Sequence, residues 1–255
     1  MSTPMVVFDH VVKRYGSGPV ILDDLSFSAA RGEFVSFIGP SGCGKSTILK
    51  LIAGLSPNTG GRVAVDDREP DQAREELAYV FQEPTLLPWL TVERNVEVPM
   101  RLSGVDRSRR AETVRRALEL VGLGSRAGYY PRQLSGGQKM RVSIARALSL
   151  APRILLLDEP FAALDEMTRD HLNEELLTIR EQQGWTAFFV THSVAEAVFL
   201  SNRVLVLAPN PGRLHREVSV RLPYPRTAAT RASPEYQRLV GEVSLLLRSV
   251  EEARA

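Results

Sequence analysis

Cysteine is nearly absent: Cys43 is the only one in 255 residues. A lone thiol excludes an internal disulfide framework and any zinc finger built on cysteines. Net charge is scarce too. The 32 Lys and Arg face 30 Asp and Glu, for a formal charge of +2, which is too weak to be a nucleic-acid footprint. Long apolar runs are missing; none approaches the ~20 residues that span a bilayer. No repeat and no low-complexity segment is visible. Residues 1–12 carry Asp9 and no basic segment leading into an apolar stretch, so the start does not read as a secretory signal. What is left is an ordinary globular composition, 44% hydrophobic and 24% charged, with the cytoplasm as the default compartment. A chain this long is expected to bury roughly 70–75% of its unfolded surface without a metal or disulfide staple.

Short apolar runs alternate with helix-length segments, which predicts an α/β fold with a largely parallel sheet. Strands are expected over residues 33–38, 77–81, 153–157, 186–190 and 203–207. Runs such as Ile154-Leu155-Leu156-Leu157 are apolar at successive positions, as strands buried on both faces are. Residues 7–11 and 22–28 read as antiparallel strands, with Leu25 and Phe27 alternating against Ser26 and Ser28. The stretch 84–152 is mostly helical in pattern, with Asp106 as an expected N-cap. It reads as a helical insertion between core strands. A hairpin-like region follows residues 209–212, and a last amphipathic helix is expected over 234–252. Residues 1–255 are thus expected to form one unit with a short extension over 210–255, and no room for an appended regulatory domain.

Residues 39–46, Gly-Pro-Ser-Gly-Cys-Gly-Lys-Ser, fit the phosphate-binding loop pattern G-x-x-x-x-G-K-S/T. Gly39, Gly42 and Gly44 let backbone N–H groups turn inward around phosphate oxygens. The helix that follows aims its unpaired N–H groups and positive dipole end at the same anion. Lys45 is placed to reach the β/γ-phosphates, and the Ser46 hydroxyl to bind Mg²⁺. Cys43 sits inside the loop. Its thiol is either a filler at a permissive position or a reactive group that bound nucleotide would shield. A second clue is the apolar strand ending in Asp158 and Glu159, because ligands bind at the carboxyl ends of parallel strands. There Asp158 suits Mg²⁺ and Glu159 suits activation of a water. Leu134-Ser135-Gly136-Gly137-Gln138 opens another helical pattern. It is a second potential anion cradle, one that a two-fold dimer would lay over the partner's nucleotide.

Leu-Ser-Gly-Gly-Gln resembles the signature of ABC-type ATPases, and the other motifs stand in that family's order along nearly the whole chain. The resemblance implies a P-loop ABC-type α/β ATPase with a mostly parallel core sheet, an N-terminal antiparallel β subdomain and a helical insertion. It implies ATP and Mg²⁺ as cofactors, with nucleotide held by Gly39, Ser41, Gly42, Cys43, Gly44, Lys45, Ser46 and Thr47. Tyr15 stands where the family stacks adenine, although a packed aromatic at a strand end reads the same way. Gln82 matches the glutamine that touches Mg²⁺ and the attacking water. Ser135, Gly136, Gly137 and Gln138 match the signature, Asp158 and Glu159 the metal aspartate and catalytic glutamate, Asp165 the D-loop, and His192 the switch histidine. Ala162 and Ser193 depart from common family choices, but neither replaces a catalytic group.

Residues 83–92, 158–169 and 210–213 resemble the nitrate/sulfonate/taurine importer branch, whose relatives also import pyrimidine vitamin precursors. In such importers a transmembrane permease inserts a short helix beside the Q-loop. Leu86, Leu87 and Trp89 are candidates for that groove, or else for internal packing. Further implied partners are a second ATPase copy, head to tail across ATP, and an extracytoplasmic solute-binding protein. No nucleic acid is expected, and the location implied is the inner face of the plasma membrane. Arg107, Arg109, Arg110, Arg115 and Arg116 read as a solvated helix face, because Glu112 and Glu119 intersperse them. Rival readings are a non-transport ABC ATPase acting in DNA repair, chromosome organisation or translation, an exporter or lipid-handling ATPase, and a P-loop kinase. A kinase has no use for the signature.

Overall fold

A computed structural model describes residues 3–253. The chain opens with β1 (Val6–Arg14) and β2 (Val20–Ala29), paired antiparallel. Next come β3 (Phe34–Ile38), α1 (Lys45–Ile52), β4 (Gly60–Val65) and β5 (Leu77–Val80). Three helices follow: α2 (Val92–Leu102), α3 (Arg107–Leu120) and α4 (Gly136–Leu148). The core resumes with β6 (Ile154–Asp158), α5 (Glu166–Gln183), β7 (Thr186–Val190), α6 (Val194–Leu200) and β8 (Arg203–Ala208). It closes with β9 (Arg213–Ser219), α7 (Ala228–Arg231) and α8 (Pro234–Glu252). Among the described residues no helix is long and apolar enough to cross a membrane.

Two sheets result. The smaller has the order β2-β1-β4 and is antiparallel; the larger has the order β5-β6-β7-β3-β8-β9. Its strands from β5 to β8 run parallel, and only β9 turns back against β8. The period of two along each strand splits the core between the two faces. Leu155, Leu157, Phe189 and Val206 pack into one hydrophobic cluster with α2–α6 and α8. Ile154, Leu156, Phe188 and Leu205 pack into the other, with α1 and the small sheet. Burial on both faces explains why these strands are apolar at consecutive positions.

The sheet also fixes where chemistry can occur. The chain leaves β3 in the middle of the sheet, and β6 and β7 end beside it at the same edge. Loops from three strands therefore meet at one carboxyl-end crevice. The five strands expected in the parallel core lie within a residue of the observed ones, while β1 and β2 run up to three residues longer at an end than expected. Three features differ from expectation. Strand β4 was not anticipated; it opens on Gly60 and Gly61, which are poor strand formers, and pairing with β1 holds it. The long helix α5 was likewise not foreseen. Asp106 stands at the N-cap of α3, but its side chain makes no capping hydrogen bond.

Candidate functional site

The loop between β3 and α1 is a cradle built on glycine. Gly44 is the N-cap of α1, with φ 93° and no capping side chain. The first N–H groups of the helix are therefore without intrahelical or side-chain partners. A Cβ on Gly44 would lie 2.5 Å from Leu22 Cδ2. One on Gly39 would lie 2.6 Å from the Leu207 carbonyl oxygen and 2.8 Å from Cys43 Sγ. Lys45 is buried, and its Nζ donates to the carbonyls of Gly39 at 2.7 Å and Pro40 at 3.1 Å. Above the loop lies an open cleft of about 420 Å³ lined by Tyr15, Ser41, Gly42, Gly44, Lys45, Ser46, Thr47, Glu159 and His192, together with Ile21. Tyr15 is exposed at its rim, with Lys13 Nζ 4.4 Å from the ring centre. Ile21 was not foreseen as part of this wall.

Cys43 corrects one reading. Its side chain is fully buried beneath the loop. Burial pushes the thiol above its ordinary range, and the nearby Lys45, with Nζ 3.8 Å from the sulfur, opposes this only in part. The thiol does not face solvent, so it is not the exposed reactive group that one of the two readings requires.

At the end of β6, Asp158 accepts two hydroxyl hydrogen bonds. Ser46 Oγ donates to Oδ1 at 2.9 Å, and Tyr79 Oη donates to Oδ2 at 2.9 Å. The first joins two residues foreseen from sequence; Tyr79 was missed, since no local pattern marks it. Burial raises the Tyr79 hydroxyl pKa, and the adjacent Asp158 charge raises it further, so the proton stays on the phenol. Glu159 adopts φ 49°, a region that non-glycine residues seldom occupy, and its N–H donates to the Val190 carbonyl at 2.9 Å. Its carboxylate stands 2.6 Å from His192 Nε2, presented from the turn after β7. The acid and the histidine are thus in mutual contact at the cleft.

Other residues singled out from sequence lie elsewhere. Gln82 is exposed and outside the cleft lining. Ser135, Gly136, Gly137 and Gln138 open α4, and none of them lines the cleft either. Ser135 Oγ accepts from the Gln138 N–H at 3.3 Å, while Gln138 Oε1 accepts from the Ser135 N–H at 3.1 Å. This reciprocal capping box fixes the start of α4. Asp165 caps α5 by accepting from the Thr168 N–H at 3.0 Å, which holds its carboxyl below the usual range. The starts of α4 and α5 are in contact: a Cβ on Gly137 would lie 2.8 Å from Thr168 Cγ2.

A separate groove of about 340 Å³ runs between β5, α2 and α4, lined by Phe81, Leu102, Tyr79, Pro99, Arg146 and neighbours. Phe81 and Leu102 are exposed. None of Leu86, Leu87 and Trp89 lines this groove. Leu86 packs on the core, Asn95 Oδ1 accepts from the Leu87 N–H, and Trp89 is 70% exposed. On α3, Arg115 pairs with Glu112 and Glu119, Arg116 with Glu112, and Arg110 with Glu97. That pairing leaves a mixed surface and no basic stripe.

Similarity to known proteins agrees with this geometry. The family profile described as ABC transporter matches residues 22–162. The chain belongs to the ABC transporter family. As a cassette of that family it is an ATP-binding ATPase subunit. A putative ATP-binding protein of Brucella abortus is 48% identical over 240 residues, 94% of this chain and 92% of that protein. The aliphatic sulfonates import ATP-binding protein SsuB of Bacillus cereus is 43% identical over 220 residues, 86% of each chain. Among solved structures, the ATP-binding cassette MJ0796, a dimer in a post-hydrolysis state with ADP and Pi, superposes with a TM-score of 0.75. It is 35% identical, covering 86% of this chain and all of that one.

The cassette's residues fit a magnesium ion. Ser46 Oγ and Asp158 are hard oxygen donors in direct contact, and Ser46 lines the cleft. Mg²⁺ needs only one or two such protein ligands, with phosphate oxygens and water supplying the rest.

Proposed function

We propose that this cassette is the ATP-hydrolysing subunit of an importer, and that two copies close head to tail around ATP. The observation that carries the hydrolytic reading is the meeting of Lys45, Ser46, Asp158 and Glu159 at one edge of the parallel sheet. The Tyr15 ring stacks on adenine at the cleft rim. The loop N–H groups hold the β- and γ-phosphates, and Lys45 exchanges the Gly39 and Pro40 carbonyls for phosphate oxygens. Ser46 and Asp158 would hold Mg²⁺, with Gln82 as a further ligand from its exposed loop. That ion would supply positive charge against the phosphates of the nucleotide. Glu159 leaves His192 and accepts a proton from the attacking water, as the water oxygen bonds to the γ-phosphorus and ADP departs. His192 then donates to the γ-phosphate.

Two supports favour a composite site. The signature cradle at Ser135–Gln138 stands outside its own chain's cleft, and a two-fold pairing gives each cradle a nucleotide in the other copy. Asp165, in contact with that region through the start of α5, faces the same interface. Residues 1–255 act as one unit, with the helical arm over 84–152 and the extension over 210–255.

The groove beside Gln82 takes a short amphipathic segment of the transmembrane permease, which seats on Phe81 and Leu102. The cassette is therefore peripheral on the cytoplasmic face of the membrane, and an extracytoplasmic binding protein feeds the complex. The solute is a small anion or related compound of the aliphatic sulfonate, taurine or nitrate kind, or a pyrimidine precursor; the sulfonate importer relative supports the first. Pull-down from solubilised membranes tests this. Recovery of a permease that stimulates ATP hydrolysis supports it. Stimulation by duplex DNA or ribosomes, and not by any membrane protein, refutes it.

A further inference from the structure

One side chain spans the distance between the nucleotide cleft and the groove. Tyr79 lies on β5, directly beside Leu156 of β6 in the parallel register. Its hydroxyl donates to Asp158 Oδ2 at 2.9 Å, opposite the Ser46 hydroxyl on Oδ1. Its ring stacks on Phe81, with centroids 4.3 Å apart and 24° between planes. Tyr79 and Phe81 are both part of the groove wall.

The physics of this arrangement is specific. The carboxylate torsion of an aspartate is soft and nearly two-fold. With only Ser46 as partner, Asp158 would keep one oxygen fixed and the other free to swing. The phenol fixes both, so each oxygen presents a defined direction to the cleft. A group that orients a ligand in this way tunes the metal without touching it. Because the phenol is held by a ring stack whose outer member is exposed in the groove, whatever presses on Phe81 also presses on Tyr79.

We infer that Tyr79 is a positioning residue that sets the orientation of the Asp158 carboxylate, and that its stack on Phe81 ties this orientation to occupancy of the groove. This rests on the reading of Ser46 and Asp158 as the Mg²⁺ ligands.

The test measures nucleotide binding, with hydrolysis blocked by Glu159→Gln. A fluorescent ATP analogue is titrated in EDTA, and then at fixed nucleotide with increasing Mg²⁺. Tyr79→Phe keeps the ring and its stack, and so the fold, while removing the hydroxyl. Loss of an outer-shell partner typically weakens metal affinity by about 10–100-fold. The groove side of the site is open, so the lower figure is expected: about tenfold more Mg²⁺ for half-maximal effect, with EDTA affinity within about twofold of the parent. Phe81→Ala should shift the Mg²⁺ requirement the same way by a few-fold, again without changing EDTA affinity. Asp158→Asn is the reference. If it leaves the Mg²⁺ dependence unchanged, the ligand reading fails and Tyr79 has nothing to position. If Asp158→Asn shifts the dependence and Tyr79→Phe does not, the ligand reading stands and the Tyr79 inference is overturned. An unmoved Phe81→Ala beside a shifted Tyr79→Phe overturns the link to the groove. In the Asp158→Asn background Tyr79→Phe should have no further effect; an additional shift there also overturns the positioning role.

Discussion

Glu159→Gln separates binding from chemistry more cleanly than any other single change. Glutamine keeps the shape of glutamate and can still accept a hydrogen bond from His192, whose Nε2 lies 2.6 Å from Glu159 Oε1. That contact is half-exposed on the histidine side, so its loss of charge costs little, under about 1 kcal/mol of fold stability. The catalytic effect is far larger. A positioned general base contributes about 10²–10⁴ in rate, or roughly 3–5 kcal/mol of activation free energy. Affinity should move the other way. The carboxylate and the γ-phosphate are like charges on one cleft, and two unit charges 4 Å apart repel by about 1 kcal/mol even in bulk water. Neutralising one should tighten ATP by about fivefold. Phosphate release under saturating Mg-ATP reads the first quantity, and equilibrium binding of a fluorescent ATP analogue reads the second. Hydrolysis within tenfold of the parent would remove Glu159 from the role of base. Equal loss of binding and turnover would mean that its part is to hold the cleft together.

Three further outcomes follow from the packing. Cys43 should resist alkylation at neutral pH by about 10² or more relative to the unfolded chain, because local opening must precede reaction, and Mg-ATP, which binds the closed loop, should slow labelling further. Its raised pKa means that thiolate gathers only above the ordinary thiol range, so labelling should still climb at alkaline pH; fast labelling at pH 7 would contradict the buried position. Gly137→Ala should destabilise the fold by about 1–3 kcal/mol, since its Cβ meets Thr168 Cγ2 at 2.8 Å. Adding Thr168→Ser removes that methyl group and should restore the denaturation midpoint; purely additive losses would refute the clash. Arg226 is buried and donates to the carbonyls of Phe199 at 2.7 Å and Ser201 at 2.9 Å, at the end of α6. Arg226→Leu should cost about 2–3 kcal/mol by leaving those carbonyls unpaired, read by urea denaturation; an unchanged midpoint would show that water replaces the guanidinium.

Much of this molecule can be read along the chain because the decisive signals are local. Buried parallel strands are apolar on both faces, so β6, β7 and β8 show as unbroken runs. The phosphate loop is one contiguous segment, and Gly44 declares its left-handed turn. What stayed hidden depends on partners distant in sequence. Strand β4 exists because β1 offers it an edge, against two glycines that argue otherwise. The groove beside Phe81 is built by β5, α2 and α4 together, from residues that no single run of the sequence brings into view. Tyr79 meets Asp158 across 79 positions, a separation no periodicity can bridge. Beside Lys45 and a helix start, Cys43 reads along the chain as either a filler or a reactive thiol; only the fold shows that it is buried.

Whether two chains share each ATP site can be decided by mixing two inactive variants. Lys45→Ala disables a chain's own phosphate loop. Gly136→Asp sets a carboxylate at the start of α4, where the other copy's γ-phosphate would lie. In a mixed pair one site carries both defects and the other carries none. Half of the pairs in an equal mixture are mixed, and half of the sites in those are intact. Phosphate release should therefore return to about a quarter of the unmodified rate, while either variant alone stays near zero. A mixture no more active than its separate components would contradict the shared site.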